Sequence, residues 1–251
     1  VSGFVWLVGA GPGDPELLTL RAARVLAEAD LVLYDALVSP ATLALARRAQ
    51  CFSVGKRHGR ASVSQETIHR LLVRAARRGR RVVRLKGGDP FVLGRGGEEA
   101  LALRAASVPF AVVPGVTCAV AAPALAGIPV THRGLASAFV VVSGHAETAW
   151  RPVLDTLEPG AATVVVLMGL RARPAIGAAL LARGWRAETP AAVVRGAGTE
   201  AQSAWHGTLR GLAAADEEPG DLPGTLVVGA VAALAGAIAG TQEEERHAAS
   251  R

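Results

Sequence analysis

The stretch that most constrains this chain is residues 80–99, RRVVRLKGGDPFVLGRGGEE. Its first part has the β-branched and apolar density of a buried parallel strand. Glycines then flank an Asp-Pro turn, and GGEEALALRAAS reads as a helix. A strand, a loop and a helix start form the repeating unit of an open α/β sheet, which binds ligands at the C-terminal ends of its strands. Gly87, Gly88, Gly94, Gly96 and Gly97 let backbone approach a ligand closely, and Asp89 is the polar group among them. In an arbitrary GGDP connector, Asp89 is more often a turn cap.

The same unit recurs along the chain. FVWLVGAGPGD is a hydrophobic strand running into a Gly-rich turn, followed by PELLTLRAARVLAEA with apolar residues at helical spacing. A dinucleotide fingerprint would place a third glycine at position 14. Asp14 stands there instead, between Pro12 and Pro15, and its charge disfavours a pyrophosphate. DLVLYDALV is a second strand, TLALARRA a helix, CFSV a third strand, and SVSQE a helix start with Ser64 as cap. PFAVV is a fifth strand, and a small-residue helix follows its Pro-Gly turn. Further strands are expected at AFVVVSGH, ATVVVLMG, PAAVVRG, SAWHGTL and TLVVGAV, with a helix at RPAIGAALLARG. Strands alternating with helices predict a parallel sheet covered on both faces. Pro114-Gly115 is the expected hinge, dividing the chain into α/β domains over residues 1–114 and 115–240, with residues 241–251 a frayed polar tail.

Composition narrows the function classes. A chain of 251 residues, 51% hydrophobic and 19% charged, can bury a sizeable core. No apolar run reaches the roughly 20 residues of a membrane span, and the start lacks a secretory layout, so a cytoplasmic protein is expected. Cys51 and Cys118 lie far apart, and the histidines show no ligand spacing, so neither a disulfide nor a metal site is expected. The net charge of +6 rests on arginines, with Lys56 and Lys86 the only lysines. Most arginines fall on predicted helix faces and read as solvated surface. Nucleic-acid binding is disfavoured, because one Tyr and five Phe supply few stacking platforms.

LKGGDPFVLGRGGEE resembles the most characteristic motif of the uroporphyrinogen-III C-methyltransferase branch of the tetrapyrrole methylase family. GAGPGD, YDALV, VGKR, VPGVTCA, AGIPVTHRG, VSGH, LMG and QxxxxxGTL follow in that family's order. The resemblance implies a class III methyltransferase fold, two α/β domains with a cofactor cleft between them, and a homodimer. It implies two successive methyl transfers from S-adenosylmethionine to uroporphyrinogen III, at C2 and C7, giving precorrin-2 via precorrin-1. No metal is required, and S-adenosylhomocysteine is released each time. Sirohaem-type fusions carry a further dehydrogenase-ferrochelatase module, so methylation alone is expected of this chain.

Carried over residue by residue, the cofactor contacts are Pro12 in the first loop, Gly87, Gly88 and Asp89 in the central one, and Val92 just beyond. Thr117 and Cys118 of VTCA, Met168 of LMG and Ala197 of VVRGAGT complete them. Without the resemblance, Met168 reads as a core methionine and Thr117 as a helix cap. Asp35 occupies the position of the family's proposed proton acceptor and Lys56 that of its proton donor. Arg57, Arg95 and Arg133, all in loops, are candidates for the substrate's carboxylates. Departures from the family pattern cluster late, at Gly134, Ala138, Arg195, Ala197 and Ser203. A methyltransferase acting on a later precorrin is the alternative reading; Asp14 disfavours an oxidoreductase.

Overall fold

Side chains alternate across a strand, so a strand buried on both faces needs apolar residues at successive positions, and β1 (Phe4–Gly9) has them. The structure, a computed structural model, describes residues 3–55, 63–216 and 220–238. Two compact units divide it, one ending at Thr117 and the other beginning at Cys118.

In the first unit β1 is followed by α1 (Leu20–Glu28), β2 (Leu31–Tyr34), α2 (Pro40–Leu43), β3 (Gln50–Ser53), α3 (Gln65–Arg77), β4 (Arg81–Lys86), α4 (Gly96–Ala105) and β5 (Phe110–Val113). The strands pair in the order β3-β2-β4-β1-β5, all parallel. Val5, Leu7, Leu31, Leu33 and Val82 pack under Ile68 and Leu72 of α3 and Leu103 of α4. Val8, Val32, Val83 and Leu85 pack on the other face, under Ala22 and Leu26 of α1. The same period puts Arg84 and Lys86 on the α3/α4 face with Val82, and Asp35 in line with Leu31 and Leu33.

Helix boundaries follow local caps. Ser64 Oγ accepts the Thr67 amide at 3.2 Å, starting α3 where expected. PELLTLRAARVLAEA is not one helix: Asp14 bonds the Glu16 amide in a 3-10 turn at Pro15–Leu17, and Thr19 then caps α1. TLALARRA is a second correction, since α2 ends at Leu43 and the chain turns through residues 44–49 to enter β3.

The second unit contains α5 (Cys118–Leu125), β6 (Phe139–Ser143), α6 (Glu147–Leu154), β7 (Thr163–Leu167), α7 (Arg173–Ala182), β8 (Pro190–Arg195), β9 (Ser203–Thr208), α8 (Leu209–Ala213), β10 (Gly224–Val228) and α9 (Ala235–Ile238). Its sheet has the order β6-β7-β10-β8-β9. This sheet is mixed, which corrects the expectation of parallel strands. Among the described strands only β6 and β7 pair in parallel here; β10 runs antiparallel to both β7 and β8, and β8 and β9 are antiparallel. A short connection from β8 to β9 permits only a hairpin. Trp150, Leu154, Ile176 and Leu180 cover one face of this sheet, and Ile128, Val231 and Ala235 cover the other.

Candidate active site

In the first unit the loops leaving β1, β2, β4 and β5 meet at one edge of the sheet. Gly11 and Gly88 exchange backbone hydrogen bonds of 2.8 and 3.2 Å, and the Ala10 amide donates to the Lys86 carbonyl at 2.7 Å. A Cβ on Gly9 would lie 2.5 Å from the Gly115 Cα and from the Gly88 oxygen, so these three loops touch backbone to backbone. Gly88 also sits at φ 65°, a left-handed conformation that favours glycine.

Asp89 holds this arrangement. Its Oδ1 accepts the Phe91 amide at 2.8 Å and its Oδ2 accepts the Gly115 amide at 3.0 Å. It therefore caps its own turn and fastens the loop after β4 to the loop after β5. Gly87 differs from its neighbours, because a Cβ there would meet only the Leu37 Cβ, at 3.6 Å. Neither backbone conformation nor packing demands a glycine at 87, so the space beside it is open. Pro12 is half-buried in the first loop, and Val92 is half-buried between exposed Phe91 and Leu93. Thr117, also half-buried, ends the loop after β5.

Asp35 follows β2, and its amide donates to the Leu85 carbonyl at 3.1 Å, extending the register that pairs Leu33 with Arg84. Arg84 Nη2 donates to Asp35 Oδ1, while Lys86 Nζ stands 3.9 Å from Oδ2. Behind them, Arg84 Nε and Lys86 Nζ each donate to Glu99 Oε1 at 3.0 Å, as does Gln65 Nε2. Arg84 Nη1 reaches the carbonyls of Leu85 and Leu33 at 3.1 and 3.4 Å. Arg84, Lys86 and Glu99 are buried, whereas the Asp35 side chain is 30% exposed. Two cationic and two anionic side chains thus balance in formal charge, with Asp35 at the open end. Burial, with the Arg84 charge beside it, pushes the Lys86 ammonium below the usual lysine range; Asp35 and Glu99 pull the other way.

Sequence reasoning missed Arg84, Lys86 and Glu99 as site residues. The signal was present: Arg84 and Lys86 alternate with Val83 and Leu85 on a strand that is apolar from Val82 onward apart from these two, so they must share one face and find partners there. Lys56 and Arg57 lie outside the described residues. Arg95, in a left-handed conformation at φ 58°, donates Nε and Nη2 to Glu98 at 2.8 and 2.7 Å. That bond holds Glu98 below its ordinary range.

In the second unit Met168 follows β7 directly, at φ 58° and 52% exposed, so it is not a core methionine. A bulky side chain in that conformation costs on the order of 1–3 kcal/mol. Ala197 lies half-buried between Gly196 and Gly198, both left-handed. Gln202 fixes this turn: its Oε1 accepts the Gly198 amide and its Nε2 donates to the Leu125 carbonyl, both at 2.9 Å. Cys118 begins α5, and burial pushes its thiol up, away from the reactive thiolate. Arg133 is exposed in the turn closed by the His132–Ala136 bridge. Among the described residues, no group of His, Cys, Asp or Glu side chains is arranged to hold a metal ion, and no helix is long and apolar enough to cross a membrane.

A parallel sheet with glycine loops at its carboxyl edge is where open α/β folds bind their ligands, and here a carboxylate is held at that edge by buried cations. The chain belongs to the tetrapyrrole (corrin/porphyrin) methylases, which it matches over residues 5–213. It is 51% identical over 214 residues to a siroheme synthase of Pseudomonas paraeruginosa, an alignment covering 84% of this chain and 46% of that protein. The chain thus spans about half the length of that relative. A uroporphyrinogen-III C-methyltransferase of Methanocaldococcus jannaschii is 46% identical over 235 residues, 92% of this chain and 97% of that one. The crystal structure of Thermus thermophilus uroporphyrin-III C-methyltransferase complexed with S-adenosylhomocysteine superimposes with a TM-score of 0.77. It is 45% identical and covers 91% of this chain and 93% of that one.

Proposed function

We propose that this protein is a uroporphyrinogen-III C-methyltransferase, methylating C2 and then C7 with S-adenosylmethionine to give precorrin-2 via precorrin-1. The match to the Methanocaldococcus enzyme over nearly the whole of both chains carries this reading. The Thermus complex with S-adenosylhomocysteine supports the co-substrate. The glycine loop fits that group, because Gly87 leaves the space a side chain would fill, with apolar Val92 in the same loop. Pro12, Gly87, Gly88, Val92 and Thr117 in the first unit, and Cys118, Met168 and Ala197 in the second, are the proposed contacts, with Asp89 holding the loop that makes them. When bound, S-adenosylmethionine supplies a methyl group activated on sulfur.

The protein's part is then to orient the macrocycle and handle a proton. An electron-rich pyrrole carbon forms the new C–C bond as the S–CH3 bond breaks, its electron pair remaining on sulfur. The ring, now cationic, must lose a proton from a neighbouring bridge carbon. Asp35 suits that step: Oδ1 is occupied by Arg84, while Oδ2 accepts no hydrogen bond among the described residues. Proton transfer to a positioned group typically contributes about a hundred- to ten-thousand-fold. In this reading Lys56 is the proton donor, Arg57, Arg95 and Arg133 meet substrate carboxylates, and the enzyme works as a cytoplasmic homodimer of two-domain chains.

Incubation with enzymatically generated uroporphyrinogen III and methyl-labelled S-adenosylmethionine tests the reading. The expected result is two equivalents of label per macrocycle with a dipyrrocorphin-like absorption. Inert uroporphyrinogen III, with label entering a later precorrin instead, overturns it.

A further inference from the structure

Glu99 lies in the first turn of α4, fully buried, with Oε1 accepting from Arg84, Lys86 and Gln65. Its other oxygen, Oε2, is buried without a hydrogen-bond partner among the described residues. A buried carboxylate is costly unless it is matched, and a core built for stability alone would carry apolar side chains at 84, 86 and 99. What the charges achieve here is directional. Glu99 draws Arg84 Nε and Lys86 Nζ to a single oxygen, and Arg84, held at one end by Glu99 and along its flank by two backbone carbonyls, has Nη2 left for Asp35. Lys86, tied to the same oxygen, stays at ion-pair range from Asp35 Oδ2 without bonding to it.

We propose that Glu99 is a positioning residue for the methylation, acting through Arg84 and Lys86 to fix the Asp35 carboxylate with Oδ1 tied down and Oδ2 left to take the proton. The inference rests on the proposed function and adds residues to it. Glu99 touches neither substrate nor co-substrate in this scheme; its whole effect passes through Asp35. Glu99 and Asp35 should therefore be coupled, and removing the network should matter only while Asp35 can act as a base.

The test is a cycle of three variants assayed with uroporphyrinogen III and labelled S-adenosylmethionine. Lys86→Met with Glu99→Gln removes one cation and one anion together, keeping the buried charge balanced. Asp35→Asn removes the base, and the third variant combines all three changes. The balanced pair is expected to keep its melting temperature and S-adenosylmethionine affinity, keep KM for uroporphyrinogen III, and lose at least about tenfold in kcat. Adding the pair to Asp35→Asn should cost nothing further. A wild-type kcat in the balanced pair, or losses that multiply in the triple variant, overturns the inference while leaving the proposed function standing. Absence of label from the wild-type reaction overturns both. Should the pair fail to melt cooperatively, Glu99→Gln alone, which removes the charge that draws Arg84 and Lys86 together and keeps an acceptor oxygen there, takes its place in the cycle, and the same two kcat results support or overturn the inference.

Discussion

The Asp89 carboxylate reaches from the loop after β4 to the Gly115 amide, 3.0 Å away, in the loop after β5. This bond spans 26 residues of sequence and joins two of the loops that meet at the sheet edge.

Asp89→Ala is therefore expected to weaken S-adenosylmethionine binding by loosening the loop, with a loss of about 1.5–3 kcal/mol for a hydrogen bond to a charged group. Isothermal calorimetry without tetrapyrrole measures it. Unchanged affinity would remove Asp89 from the cofactor's support.

Two glycines a short distance apart should respond oppositely to alanine. At Gly9 a methyl group collides with backbone of Gly88 and Gly115, so Gly9→Ala should destabilise by about 1–3 kcal/mol in denaturant unfolding. At Gly87 the methyl has room, so Gly87→Ala should unfold like wild type. Its S-adenosylmethionine affinity should nevertheless fall about tenfold, equivalent to 1.4 kcal/mol. A Gly87→Ala protein with full affinity would show that no ligand fills that space.

Asp35→Asn keeps the shape of the side chain and removes its basicity. It should bind S-adenosylmethionine normally and lose at least about tenfold in turnover with both substrates saturating. Turnover at the wild-type rate would return Asp35 to the role of a turn residue after a strand.

Stability should show an acid-side signature at Asp30, the residue before β2. Hydrogen bonds from the Arg81 side chain and backbone amide hold its carboxyl below the ordinary value of 3.8. A lowered folded pKa contributes stability above the unfolded value and loses it as pH falls through the folded one. Asp30→Asn should thus melt below wild type at neutral pH, and the gap should narrow under pH 3.8. Melting curves across that range decide it; a constant gap would assign the difference to packing.

The proposed substrate, uroporphyrinogen III, is a polycarboxylate, so its KM should rise with ionic strength. A KM that stays flat through a salt titration removes the arginines from substrate capture.

Much of this architecture was legible because it rests on local pattern. The run from Val82 through Glu99 announced strand, loop and helix, and the Ser64 cap was visible as a short-range hydrogen bond. Other features depend on residues distant in sequence. Nothing near β10 states that it will lie antiparallel between β7 and β8, because strand direction is decided by which neighbours it finds. Asp35 was singled out, but its partner Arg84 lies 49 positions away along the chain, and Glu99, which holds Arg84, lies another 15 beyond. Met168 was a plausible core side chain until its left-handed backbone turned it outward.

The strand order of the second sheet sets a timetable for synthesis. β10 supplies the hydrogen bonds on the inner side of both β7 and β8, yet among this unit's strands it leaves the ribosome last. Until Gly224–Val228 emerges, β7 and β8 expose open edges of nearly unbroken Val and Ala, the kind of edge on which nascent chains aggregate. The first sheet meets the same wait earlier, since β1 and β2 lack their shared neighbour until β4 is made, but it is complete once β5 appears. A ribosome stalled before residue 224 would thus hold one finished sheet and one open wound, and it is there that a chaperone has work to do.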